Sequence, residues 1–409
     1  MKKAVLKQYA RLIARTGANV QKGQSVLIVA GLDQPEFIEM LAAECYRARA
    51  SEVEVEWRHQ PLTRLAVRYK SARRLGEVKA WEEARQQWQA ETLPARIVVL
   101  SEDPDGLAGI NQAKYASAMQ ARYVKLRPYI DARENREQWC IAAVPGAKWA
   151  KKVFPSLPKG RAVEALWEAI LSCSRALEGD PIQNWVEHDA YLASRCEHLN
   201  SLGLVALEYK SANGTDFRVG LIPEAQFIGG GERIRINGVL TNPNIPSEEV
   251  FITPKAGEAE GIVYATRPLS FQGVLIEDFS VRFENGRAVE VHAGKNEDAL
   301  RQLISMDEGS CMLGECALVP YDSPIRNSGI MFYNTLFDEN AACHLALGRG
   351  YSSNIRDYDK YSLEELRALG VNDSMVHEDF MIGSEDLSVT GVTASGERVE
   401  IFRNGGWAF

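Results

Sequence analysis

Residues 25–100 constrain the fold most. The run Ser-Val-Leu-Ile-Val-Ala at 25–30 is apolar almost without a break, so a strand formed there has to be covered on both faces. A turn at 31–35, Gly-Leu-Asp-Gln-Pro, leads into an amphipathic stretch over 36–49, in which Phe37, Leu41, Cys45 and Ala48 recur at helical spacing. A second strand over 53–57 alternates with glutamates, a helical tract covers 63–90, and a third strand follows at 96–100. Strand, helix, strand, helix, strand predicts a largely parallel sheet layered with helices. Helical spacing over 3–16, closed by Gly17, precedes this unit, and further helices are expected at 107–120 and 161–198, the latter broken at Gly179-Asp-Pro181.

Beyond residue 201 the texture changes to short strands: 204–209, 215–219, 250–252, 261–266, and the pair 280–284 and 287–292 around the hairpin signal Asn285-Gly286. Helices are expected only at 296–304 and 362–368, the second opened by the capping box Ser362-Leu-Glu-Glu365. The fold class is therefore α/β with two domains. An N-terminal α/β domain spans 1–198, and a β-rich α+β C-terminal domain spans 199–409. A chain of 409 residues exceeds what one core usually serves.

Composition excludes several functions. A net charge of −8 with no basic cluster argues against a nucleic-acid partner. The N-terminus lacks the apolar stretch of a signal peptide and no eighteen apolar residues run together, so no membrane partner and a cytoplasmic address are expected. The seven cysteines are an odd number without a CxxC, which fits reduced thiols and leaves a structural cysteine-zinc site unsupported. The turn at 31–35 has neither the GxGxxG glycines nor a Walker lysine, which argues against a nucleotide there.

Chemistry is carried by polar residues in apolar surroundings. His377 and Asp379 bracket one residue in Met375-Val-His-Glu-Asp-Phe-Met-Ile-Gly-Ser384, so an extended segment aims both to one face and Glu378 to the other. An imidazole and a carboxylate so placed make half of a divalent-metal site. His344 is the lone polar residue in Ala341-Ala-Cys-His-Leu-Ala-Leu-Gly348; taken alone, it reads as a hydrogen-bonded core histidine. Glu315 is the single charge in Met312-Leu-Gly-Glu-Cys-Ala-Leu-Val319 and needs a positive partner if buried. Glu248 and Glu249 enter a strand side by side, so at most one faces the same site; as a pair they also read as a solvated edge. Asp338-Glu339-Asn340 reads either as support for His344 or as a cap and turn. Together these exceed what one tetrahedral zinc takes and suit two ions about 3.5–4 Å apart that share a water. Zinc, cobalt and manganese are all compatible.

At these residues the chain resembles the thermophilic-type aminopeptidases of peptidase family M29. The resemblance is carried by Tyr9-Ala-Arg-Leu-Ile-Ala-Arg-Thr-Gly17, Trp149-Ala-Lys-Lys-Val-Phe-Pro155 and Pro246-Ser-Glu-Glu-Val-Phe251, then by Leu313-Gly-Glu-Cys-Ala-Leu-Val-Pro320, Asn334 through Gly348, and His377-Glu-Asp-Phe-Met-Ile-Gly-Ser384. It implies Glu249, Glu315, His344, His377 and Asp379 as ligands of two divalent ions per chain, with Glu315 bridging and Tyr351 at the catalytic centre. It also implies peptide substrates, hydrolysis of the N-terminal residue by the water the ions share, and a homodimer. Glu248 and Glu339 are the candidates for a general base. Glu378 stands where the family more often has a small or apolar residue. Two other readings compete: a mononuclear iron dioxygenase that opens dihydroxypyridine rings, using His344, His377 and Asp379, and a non-catalytic dimeric binding protein. A one-iron site has no use for both Glu249 and Glu315.

Overall fold

A computed structural model describes residues 1–234 and 236–409. The chain gathers into two compact units, Met1–His188 with Gly231–Pro246, and Asp189–Gly230 with Ser247–Phe409. The helix Pro181–Ser201 contains the change from the first unit to the second, and the expected boundary at 198/199 lies inside it.

The N-terminal unit is built on a four-stranded sheet in which Glu52–Arg58, Ser25–Gly31, Ala95–Leu100 and Trp139–Ala143 lie side by side, all parallel. Val26 through Ala30 are buried, as their unbroken apolar character demands. The helical tract expected over 63–90 is three helices, Gln60–Tyr69, Ala72–Gly76 and Ala80–Thr92. Ser71 caps the second by accepting from the Arg74 N–H, which ends one helix and starts the next. The fourth strand is absent from the expectations: Trp139–Ala143 is five residues long and directly follows a polar stretch, so it shows no period of its own.

The C-terminal unit carries a nine-stranded, mainly antiparallel sheet and a separate four-stranded antiparallel one. Asn285 and Gly286 both have positive φ, as a two-residue hairpin turn with the strands' own twist requires. The second sheet has the order His377–Met381, His344–Gly348, Leu313–Leu318, Val250–Ile252. One of its faces supplies Val250, Ile252, Cys316, Leu318, Leu345, Leu347 and Phe380 to an apolar core that Leu207, Phe217, Val219 and Phe283 of the large sheet also enter. Burying each such large side chain contributes ~1.5–3 kcal/mol, so the register of this sheet is strongly held. A one-residue slip would exchange its two faces. No helix among the described residues is long and apolar enough to cross a membrane.

Candidate metal centre

The other face of the four-stranded sheet carries the site. In antiparallel pairing, partners across the ladder share a face. Glu315 pairs with Ala346, and Ala346 with Asp379. One row away His344 lies between Ala317 and Met381, and one row the other way His377 pairs with Gly348. The residues between the polar ones are thus mostly Ala317, Ala346 and Gly348, whose small size leaves room above the sheet. Phe251 pairs with Ala317, so alternation carried back from it puts Glu249 on the same face and Glu248 on the opposite phase. The geometry thereby separates two neighbours that spacing alone left equivalent.

Gly348 has a structural reason to be glycine. Its φ is +101° and an added Cβ would lie 2.1 Å from the Val376 carbonyl oxygen. Gly348→Ala is expected to cost at least about 2 kcal/mol, read as a lowered urea midpoint with an unchanged slope.

Two groups of ligand atoms result, Glu249 with Glu315 and His344, and Glu315 with His377 and Asp379, each gathered within 4.8 Å. Glu315 belongs to both: its Oε1 lies 3.7 Å from His344 Nε2 and its Oε2 lies 3.3 Å from His377 Nε2. Glu249 Oε2 is 3.2 Å from His344 Nε2, and Asp379 Oδ1 is 3.4 Å from His377 Nε2. Both imidazoles are oriented from behind by main-chain carbonyls. His344 Nδ1 is 3.1 Å from Ala342 O and His377 Nδ1 is 2.7 Å from Arg349 O. A carbonyl only accepts, so Nδ1 carries the proton and donates it, and a neutral ring then turns the Nε2 lone pair toward the carboxylates.

Burial makes this cluster electrostatically demanding. For Glu249, burial raises the carboxyl's pKa, the neighbouring His344 imidazole works against the rise, and the Glu315 charge adds to it. Glu339 is held well above the ordinary carboxylate range, first by burial and then by the charges of Asp379 and Glu249. Burial opposes the charged form of both imidazoles, yet they end well above their ordinary value, His344 through Glu249 and Glu315, and His377 through Tyr351, Asp379 and Glu315. For Asp379, burial would raise the carboxyl, but the imidazolium of His377 outweighs it and the net shift is downward. The side chains alone can thus only crowd protons onto shared acids and imidazoles.

Divalent cations fit these residues better. Buried His344 Nε2 and Asp379 Oδ1 have no hydrogen-bond partner although carboxylate and imidazole atoms lie just beyond good alignment. Glu315, Glu249, Glu339 and Asp379 offer four negative charges when ionised, which two divalent cations would balance. Among the described ion pairs Glu315 meets His344 and His377, so the lysine or arginine that a structural role would call for is not what it faces.

Around this centre, Asn340 joins both candidate bases. Its Oδ1 accepts from the Glu248 N–H at 2.6 Å, and its Nδ2 donates to Glu339 Oε1 at 3.2 Å and to Leu336 O at 3.1 Å. Asn340 therefore grips Glu339 by its carboxyl, which faces the cluster, and Glu248 by its backbone. Asp338, next in sequence, does something else: it accepts from the N–H groups of Phe332 and Asn334 and closes a turn. The cap-and-turn meaning of the polar knot holds for Asp338, while Asn340 holds Glu339 and the Glu248 backbone, and His344 is oriented by Ala342 O. Tyr351 stands with its ring 4.8 Å from that of His377 and 5.6 Å from that of Phe251, anchored through its N–H to Thr253 Oγ1 at 2.8 Å. At 36 % exposure it reaches solvent at the rim. Asn340 and the two orienting carbonyls escape the sequence reading; a backbone carbonyl leaves no mark on residue type, and Asn340 is visible there only as part of the knot. Glu378 pairs with Leu347 on the core face, away from the ligand atoms.

A sheet face with two carboxylate–imidazole triads sharing one glutamate defines a protein equipped to hold divalent metal. The chain belongs to the family described as thermophilic metalloprotease (M29), which it matches over residues 2–407. It is 41 % identical over 405 residues to aminopeptidase AmpS of Bacillus subtilis (strain 168), covering 99 % of this chain and 98 % of that one. It is 40 % identical over 403 residues to aminopeptidase T of Thermus thermophilus, covering 98 % of each. The solved structure of wild-type AmpT from Thermus thermophilus superposes with a TM-score of 0.89 at 38 % identity, over the whole of both chains.

Proposed function

We propose that the chain is a metal-dependent aminopeptidase that removes N-terminal residues from peptides with two divalent ions per chain. The observation that carries this reading is the position of Glu315, with one carboxylate oxygen toward each triad. Glu249, Glu315 and His344 would hold one ion, and Glu315, His377 and Asp379 the other. Ions bound there supply the positive charge that polarises a scissile carbonyl and lowers the pKa of water. The Glu339 carboxyl, fixed by Asn340, takes the proton of the attacking water and delivers it to the leaving amine. Tyr351, whose ring stands 4.8 Å from that of His377, would donate its hydroxyl hydrogen to the oxyanion.

Zinc, cobalt or manganese suits the mixed oxygen and nitrogen donor set. The family resemblance supports a homodimer, and the net charge of −8 without a basic cluster supports a protein that does not engage nucleic acid.

Purified chain is expected to contain about two divalent ions and to release the chromophore from aminoacyl-anilides, with chelator abolishing release and added metal restoring it. One iron per chain and no hydrolysis would sink the reading. Because Glu378 lies on the core face, Glu378→Ala is expected to keep anilide hydrolysis within about threefold of the parent, since only ligands and their immediate supports carry large effects. A loss comparable with that of His377→Ala would place Glu378 among the ligands after all.

A further inference from the structure

The carboxyl ends of the four parallel strands open onto a cavity of about 710 Å³, inside the ~300–1,000 Å³ range of small-ligand sites. Its place follows from topology. Connections leave the strand Ser25–Gly31 toward Glu52–Arg58 on one side, while Ala95–Leu100 lies on the other. The loops therefore part between Ser25–Gly31 and Ala95–Leu100, and open α/β sheets take ligands in such a crevice. Its floor is closely built: a Cβ on Gly31 would lie 2.3 Å from Ser101 Oγ, and one on Gly146 would lie 2.0 Å from Ser101 O.

The lining carries both charges. The segments after the first and third strands bring Asp33, Glu102 and Asp103, Asp103 being paired with Lys148 at 3.3 Å, while the end of the second strand brings Arg58, paired with Glu56 at 3.2 Å, and the segment after it brings Arg64. Several of these are already held in place. Ser101 Oγ donates to Asp33 Oδ2 at 2.9 Å, Glu102 Oε2 accepts from the Ser101 N–H at 3.0 Å, and Arg64 Nη1 donates to Ala108 O at 2.5 Å. Apolar surface comes from Leu62, which is 63 % exposed, and from half-buried Tyr115.

A phosphate would be poorly received. The helix that follows the first strand begins with Pro35, which has no N–H, and carries Glu36 in its first turn, so its N-terminus offers an anion little. Asp33 in the same loop repels one. A ligand with an ammonium at one end and a carboxylate at the other matches both charges. We infer that this cleft is a second binding site, for a short zwitterionic peptide whose ammonium meets Asp33 and Glu102, whose carboxylate meets Arg58 and Arg64, and whose side chains lie on Leu62 and Tyr115. The inference uses residues of the N-terminal unit alone and does not depend on the catalytic reading.

Titration calorimetry on the full chain carrying His377→Ala, with chelator present, tests it using Leu-Leu, N-acetyl-Leu-Leu, Leu-Leu amide and ATP. Leu-Leu is expected to bind saturably, and blocking either terminus to weaken binding at least about tenfold. Adding Asp33→Asn or Arg58→Gln is expected to weaken Leu-Leu to the same extent with an unchanged melting temperature; the amide oxygen introduced by Asp33→Asn would still accept from Ser101 Oγ, so the loop is preserved. Absence of saturable binding at millimolar peptide, binding indifferent to both substitutions, or preferential binding of ATP overturns the assignment. Leucine release by the parent chain is scored separately, so a failure of the catalytic reading leaves this result intact.

Discussion

Glu315→Gln is expected to lower kcat/KM for an aminoacyl-anilide more than a hundredfold and to reduce bound metal from about two ions per chain to one or none. Loss of a residue that merely orients a ligand already costs ~10–100-fold, and Glu315 touches both triads. Glutamine keeps the shape of the side chain but exchanges one oxygen for an amide N–H2, which donates and cannot ligate. Whichever way the amide turns, one triad loses a donor atom and gains a hydrogen aimed at a cation. Metal analysis and kinetics on the same preparation check this. Two retained ions with near-parental turnover would show that Glu315 does not serve both groups.

Glu339→Gln is expected to leave two ions bound and KM little changed while kcat falls by about 10²–10⁴-fold, the range of a lost general acid–base. Glu248→Gln, altering a side chain on the other phase of the segment, is expected to change kcat by less than about tenfold, because Asn340 holds the Glu248 N–H rather than its carboxylate. A fall in metal content in the Glu339 variant would make that residue a further ligand. A larger kcat loss in the Glu248 variant would move the proton-carrying role there. The pair of variants therefore decides between two residues that lie on either side of one asparagine.

Much of this arrangement was legible in residue order because burial imposes a pattern that charge then breaks. The run at 25–30 could only be a covered strand, and Ser25–Gly31 is one. Glu315 and His344 stood out because each is a lone polar group in an apolar strand, and both strands are fully buried. What spacing did not carry was register. That Ala346 separates Glu315 from Asp379 depends on pairing between residues far apart in the chain, and the ladder next to Glu315 is irregular where Leu313 gives way to it. The strand Trp139–Ala143 went unseen for a related reason: five residues next to three established parallel strands are strand mainly by virtue of that neighbourhood. Spacing alone left Glu249 and Glu248 equivalent; the family resemblance pointed to Glu249, and the phase that Phe251 sets opposite Ala317 gives the physical reason.

The carbonyls behind the two imidazoles bear on metal choice. Where a carboxylate sits behind a ligating histidine it pushes charge onto the ring and tightens its grip on zinc. Ala342 O and Arg349 O are neutral, so they aim His344 and His377 while raising the basicity of the rings less than a carboxylate in the same place would. Main-chain orientation also survives any change of side chain at 342 or 349 that leaves the backbone path intact. Such a centre is rigid in direction yet moderate in donor strength, and its ions are expected to exchange with those in the medium. The metal found in the protein would then follow the supply in the cell more closely than any preference built into the fold.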